Sequence, residues 1–486
     1  MQSLVKLFIN GHFQLPIADI NTTLLEATAQ VRATQTPVIA SFTYHVPLYD
    51  PLAMYAAVRQ LTPYQATYWE VSSQQVAFVG MGSAYEIVTS GNEAIQSATV
   101  CWREMMHNAV IHHTADVDDA VAQPVCIGGF AFDPTADHSA DWHHYPDGLL
   151  VLPQVLFRVS ATEMTITCNT LVTMTTTVAA STGLLADMLA QVEAAVTQLP
   201  PVDVSAPRLA VAMTSSRTTW LPLVHTATQT IANSSLEKVV LARSVTATTT
   251  TPYDVIEALQ RLRQLYPAAY IFAFQREDTT FMGATPERLV AVDQQQMQTM
   301  ALAGSAPRGV TPEADAQLGL ALIDSTKNRH EHAIVTAEIR QSLAPLTDSL
   351  TIPATPSLLQ LANVQHLQTK ITGELLPDRT ILDVVAALHP TPAVGGFPRD
   401  EALAFIRDAE KLDRGWYAGP IGWVGADGSG EFAVALRSAL ITDTTATLYA
   451  GCGIVADSDP ATEYQESALK LQAMCQGLGI TAEGQE

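Results

Sequence analysis

GPIGWVGADGSGEFAVALRSALI, residues 419–441, places two runs of apolar and small residues on either side of GADGSG, residues 425–430. Glycine reaches the positive φ angles a tight turn demands, so the stretch reads as a hairpin of two antiparallel strands. Short bursts of the same kind, ended by Gly, Pro or Asp, run through the first 200 residues: QQVAFVGMG (74–82), VCIGGFAFDP (125–134) and LLVLPQVLFRVS (149–160). Each is expected as strand. Further on, KVVLARSVTAT (238–248), YIFAFQRE (270–277), TFMGATPERLVAV (280–292) and TATLYAGCGIVA (445–456) read the same way. Helical spacing marks 184–198, 253–265, 322–345, 381–388 and 399–410. Hairpins with helices outside, and no regular βα alternation, predict an α+β fold rather than a doubly wound sheet.

The Pro-rich stretch LPPVDVSAPR, residues 199–208, reads as a linker between a β-rich N-terminal portion, 1–200, and a second portion, 209–486. No internal repeat of fixed period is visible. A hydrophobic content of 48% over 486 residues is enough for a large buried core. The formal net charge of −23 argues against nucleic acid or an anionic membrane as partner, since both need clustered cations. Five scattered cysteines without CxxC spacing suggest neither a disulfide framework nor a zinc site, and fit a reducing compartment. MQSLVKLFINGHFQLP (1–16) lacks the parts of a signal peptide, and no run of about 18 apolar residues exists to span a bilayer. A soluble, cytoplasmic protein is expected.

Several segments carry residues suited to chemistry. In ATEYQESALK (461–470), a helix would align Glu463, Glu466 and Lys470 on one stripe, either a solvated salt-bridge ladder or the wall of a site. Asp459-Pro460 is a helix start, and Leu469 and Met474 are expected to face the core. AGCGIV (450–455) reads as a Gly-x-Gly after a strand, either a plain turn or a place where bare amides can approach an anion. Glu331 lies between His330 and His332, which point to different helix faces and so form no zinc pair; the carboxylate suits a hard cation or plain solvent. Lys238 opens an apolar strand, as a base or a snorkelling ammonium. Glu287, on a turn beside apolar surface, is placed to stay protonated as a general acid.

The ordered set KVVLAR, GATPERL, LAGSAPRG, NRHEHAIV, HPTPAVGGFP, RGWYAGPIGW and AGCGIV with EYQESALK resembles the chorismate-utilising enzymes, isochorismate synthases above all, over roughly residues 220–478. GGFAFDP (128–134) resembles the family's N-terminal portion. The resemblance implies two large antiparallel β-sheets packed face to face with helices outside, residues 209–486 forming the chorismate-binding catalytic portion. It implies Mg²⁺ as cofactor, held by Glu331 and Glu466 with Glu463 as a ligand or a partner of metal-bound water. It implies substrate contacts from Arg437, Tyr417, Lys470, Gly451, Gly453, His366, Gly304 and Ser305. Lys238 corresponds to the general base of members that use water as nucleophile and Glu287 to their general acid; the anthranilate-type members lack that lysine. The expectation is therefore an isomerase, isochorismate synthase, of the menaquinone pathway. It acts as a monomer on the small molecule chorismate, without a glutaminase subunit. Salicylate synthase, a siderophore-pathway isochorismate synthase and a non-catalytic chorismate-binding homologue are the alternatives.

Overall fold

The structure is a computed structural model that describes residues 13, 15–136, 138–200, 202, 204, 209–214, 217–360 and 364–483. The linker expected at 199–208 lies largely outside the described residues.

The expected hairpin forms. Strands Pro420–Gly425 and Gly430–Val434 pair antiparallel, with Gly428 at φ 82° and Asp427 Oδ1 accepting from the Ser429 amide at 3.0 Å. It belongs to one of two sheets, of ten and fourteen strands among the described residues. The two sheets pack through a shared core in which Phe78 of the larger sheet meets Trp423 of the smaller at 5.0 Å between ring centres. Burying one such ring stabilises by roughly 1.5–3 kcal/mol. Helices Ile17–Thr34, Pro51–Leu61, Val178–Gln198, Val255–Leu265 and Pro460–Leu478 share a second core with the fourteen-stranded sheet. Helices Ala94–His107, Thr326–Leu343 and Ile381–Leu388 pack on the ten-stranded one. The architecture is α+β, with two antiparallel-rich sheets and helices around them.

Three apolar bursts expected as single strands are each two strands in different sheets. LLVLPQVLFRVS divides at Pro153 and Gln154 into Gly148–Leu152 and Val155–Val159. TFMGATPERLVAV divides at Pro286 and Glu287 into Thr279–Thr285 and Arg288–Asp293. EFAVALRSALI divides at 435–437 into Gly430–Val434 and Ser438–Thr442. Proline supplies no ladder amide, and Arg437 sits at φ 48°, so the chain leaves one sheet there and enters the other. The helix expected over 322–345 is two, Pro312–Asp324 and Thr326–Leu343, because Ser325 stays extended (ψ 112°) and its hydroxyl caps the second at the Asn328 amide. Leu469 is 59% exposed rather than facing the core, whereas Met474 is fully buried as expected.

The strand pairings repeat. In the first half, the hairpin Gln65–Val71/Val76–Met81 leads across to Tyr85–Thr89, and Val125–Phe130/Gly148–Leu152 leads back to Val155–Val159 and Met164–Val172. In the second, Tyr270–Arg276/Thr279–Thr285 leads across to Arg288–Asp293, and Pro420–Gly425/Gly430–Val434 leads back to Ser438–Thr442 and Thr445–Ile454. The halves join antiparallel at two equivalent strand pairs, Gln65–Val71 with Tyr270–Arg276 and Val125–Phe130 with Pro420–Gly425. The second half alone carries an insertion over residues 296–375.

Candidate active site

The two crossing segments of the second half lie side by side. Thr285 Oγ1 donates to Val434 O at 2.6 Å, the Val434 amide donates to Glu287 O at 2.9 Å, and the Ala284 amide donates to Arg437 O at 3.1 Å. Glu287 and Arg437 are thereby presented together at the seam between the sheets. Burial pushes the Glu287 carboxyl up to about 7, against the pull of Lys470, Lys238 and Arg437, which favour its charged form. Burial also lowers the Arg437 guanidinium, and Tyr417, Tyr266, Glu287 and Glu466 act to raise it. A non-glycine residue in the left-handed region is strained, and here the strain falls on a buried arginine whose charge acts on Glu287.

Lys238 begins the strand Lys238–Thr248, whose antiparallel partner Thr445–Ile454 sets Gly451 beside Ala242 and Gly453 beside Val240. AGCGIV is thus not a turn after the strand but part of it. Its glycines mark close approach rather than a bend. A Cβ on Gly453 would lie 2.8 Å from Lys238 Cε, and one on Gly451 would lie 3.3 Å from the Tyr417 hydroxyl. Lys238 Nζ reaches Glu331 Oε1 at 3.3 Å across the cleft. On the Glu331 helix, His330 is exposed while His332 is buried and bonded to Thr369 Oγ1 at 2.7 Å, so the two histidines do part.

The helix Pro460–Leu478 starts as expected, with Asp459 accepting from the Thr462 amide at 2.9 Å and Pro460 in its first turn. Lys470 Nζ bonds Glu466 Oε1 at 2.7 Å and Gly451 O at 2.9 Å, tying the carboxylate stripe to the glycine strand. Burial raises the Glu463 carboxyl, and the neighbouring Glu466 raises it further. Arg243, buried on the opposite face of the Lys238 strand, donates to Ser467 Oγ at 2.7 Å and lies 4.3 Å over the Tyr464 ring, fixing this helix from behind. Burial lowers the pKa of His366, while a hydrogen bond with the Gly304 backbone and the charges of Lys470, Glu466 and Arg437 also act on it. Ser305 pairs with His366 in the strand register; its side chain is outside the described residues. Tyr417 stacks on Tyr449 at 5.2 Å and 18°. The sequence reading passes over Tyr449, although it shares the strand face of Gly451 and Gly453 by simple alternation.

Glu331, Glu463 and Glu466 offer oxygen donors only, and the mutual repulsion of Glu463 and Glu466 is what a cation would relieve. Among the described residues, no three His, Cys, Asp or Glu side chains converge as a ready-made metal cage. Such a donor set fits a hard divalent ion that keeps waters and draws on substrate oxygens.

The chain matches the family described as chorismate binding enzyme over residues 25–479 and belongs to that family. It is 37% identical to the salicylate biosynthesis isochorismate synthase of Pseudomonas aeruginosa over 461 residues, 94% of this chain and 93% of that one. It is 33% identical to the isochorismate synthase MenF of Bacillus subtilis over 459 residues, 94% and 97% of the two chains. The solved structure of MenF, the menaquinone-specific isochorismate synthase from Escherichia coli, aligns with a TM-score of 0.73 at 28% identity, over 94% of this chain and 100% of that one. No helix among the described residues is long and apolar enough to cross a membrane.

Proposed function

We propose that this chain is an isochorismate synthase, an isomerase that adds water at ring C2 of chorismate while the C4 hydroxyl departs and the double bonds shift. The observation that carries the reading is Glu287, a carboxyl raised to about 7 in a cleft it shares with Lys238 and Arg437. At neutral pH a substantial fraction of Glu287 holds the proton that the departing C4 hydroxyl needs. Lys238, at the start of its strand, takes the proton of the attacking water. The water lost at C4 balances the water gained at C2, and exchange with solvent returns both side chains to their starting states. Arg437 and Tyr417 hold the side-chain carboxylate of the substrate, a task suited to a guanidinium fork. Lys470, His366, Gly304, Ser305 and the bare backbone of Gly451 and Gly453 line the rest.

Glu331, Glu466 and Glu463 hold Mg²⁺ in this reading, and the ion when bound neutralises and orients the ring carboxylate. The three carboxylates also keep the cleft from retaining an unneutralised dianion, since without a cation they repel it. The protein works as a cytoplasmic monomer without a glutaminase subunit, and its product feeds menaquinone assembly.

Lys238→Ala and Glu287→Gln are expected to abolish turnover of chorismate while circular dichroism stays that of the wild type. A near wild-type rate in either folded variant removes that residue from its role.

A further inference from the structure

The RGWYAG segment opens on Arg414, whose side chain has no role among those assigned above. Arg414 and Glu410 are almost wholly buried, with side-chain exposures of 3% and 1%. Arg414 Nε and Nη2 donate to the two Glu410 oxygens, each at 2.7 Å. Its Nη2 also donates to Val240 O at 2.7 Å and its Nη1 to Val394 O at 3.1 Å, and the guanidinium lies 4.1 Å over the Phe132 ring. Glu410 Oε2 in turn accepts the Ala242 amide at 2.7 Å.

These bonds fall where, among the described residues, the strand Lys238–Thr248 has no ladder partner. One edge is paired from Val239 to Thr248 by Thr445–Ile454. On the other edge, among the described residues, Ala247 and Thr248 pair with Met213 and Ala212, the Thr214 amide donates to Thr246 O at 3.3 Å, and Lys238 and Val239 pair with Phe397 and Gly396. The Val240 amide still finds Gly395 O at 2.9 Å. Beyond that, the Val240 carbonyl and Ala242 amide meet Arg414 and Glu410, which act in place of a neighbouring backbone. A buried ion pair is weak evidence of stabilisation, because apolar residues would pack there as well. What only this pair supplies is a donor and an acceptor at the spacing of the ladder.

We propose that Glu410 and Arg414 are positioning residues for Lys238: by closing the open edge of residues 238–242 they hold the catalytic strand in place. Through Val394 O, and through Arg414 O, which accepts the Tyr417 amide at 2.8 Å, they tie that strand to the segment at Val394 and to the turn that carries Tyr417. The inference rests on the reading of Lys238 as the base.

Glu410→Gln and Arg414→Lys keep size and test the geometry. A displacement of about 1 Å costs about 10²-fold in rate, so kcat should fall by about that factor with KM for chorismate changed less than about threefold. Hydrogen exchange in the folded variants should rise over 238–242 and not across the rest of the sheet. Unchanged kcat, or a loss carried by KM alone, overturns the proposal. If neither variant folds, wild-type exchange decides: the Ala242 amide should exchange as slowly as its strand-paired neighbours, and fast exchange overturns the proposal. Lys238→Ala in parallel separates the two readings, since turnover retained there removes the base itself rather than its support.

Discussion

Burial raises the Glu287 carboxyl to about 7, where the proposed general acid would both keep and release a proton, and the sign of that shift has consequences outside catalysis. A carboxyl raised from the usual range to about 7 favours the folded protein fully below its unfolded value, and that contribution is lost as pH rises through about 7. Glu287→Gln removes the ionisation. The stability of this variant relative to wild type is therefore expected to grow by about 2–3 kcal/mol between pH 5 and pH 8, measured by urea unfolding. A pH-independent difference would contradict it. On the kinetic side, the pH profile of kcat/KM is expected to bend near 7, where the free enzyme loses the acid while deprotonation of Lys238 acts the other way, and Glu287→Gln is expected to remove that bend from any residual rate. A wild-type profile without a bend near 7 would exclude Glu287 as proton donor. The sequence displays Glu287 as a carboxyl on a Thr-Pro turn, but its pKa depends on burial between the sheets and on the opposing pull of Lys470, Lys238 and Arg437, which come from distant segments.

The strand Thr445–Ile454 and the helix Pro460–Leu478 show how elements convert a residue pattern into a site. The stripe of Glu463, Glu466 and Lys470 is legible from helical spacing, as is the Asp459 cap. Its orientation is not, because it depends on Arg243, Ser467 and the bond from Lys470 to Gly451 O, all contacts between elements. The glycines carry two expectations, inside the strand TATLYAGCGIVA and as a turn after a strand, and the first holds. Gly-x-Gly suggests a turn, and only the neighbouring strand reveals that Gly453 makes room for Lys238. Gly453→Ala would set its Cβ against the mobile end of that lysine, which moves at little cost to the fold. Loss of kcat by about tenfold or more is expected, with Tm within about 3 °C of wild type. An active variant would show that Lys238 tolerates displacement. Helix Ile17–Thr34 was also legible in principle, since Ile20, Leu24, Ala27 and Val31 recur at helical spacing, but its many Thr and Ala residues dilute the signal.

At the scale of the whole molecule, one topology is used twice and only the second copy is chemically equipped. Where the second half crosses between sheets with Glu287 and Arg437, the first crosses at Gly82–Ala84 and at Pro153-Gln154, which carry no charge. The insertion at 296–375 then brings Gly304, Glu331 and His366 to the second half alone. That insertion is also why no fixed period shows in the sequence: the repeat lies in the pairing of strands and is interrupted on one side. Because the halves share strands in both sheets, residues 209–486 expressed alone would bare two unpaired edges, at Tyr270–Arg276 and Pro420–Gly425. That fragment is expected to aggregate, and a soluble fragment with native circular dichroism would contradict the shared-sheet account. The family was legible from seven ordered motifs, whereas the route of the chain between the sheets was hidden in uniformly apolar bursts. The most direct test is to incubate the purified protein with chorismate and Mg²⁺, with and without EDTA, and identify the products by chromatography. Isochorismate that accumulates with Mg²⁺ and not with EDTA is predicted; salicylate with pyruvate as the main products, or no turnover at all, would contradict the account.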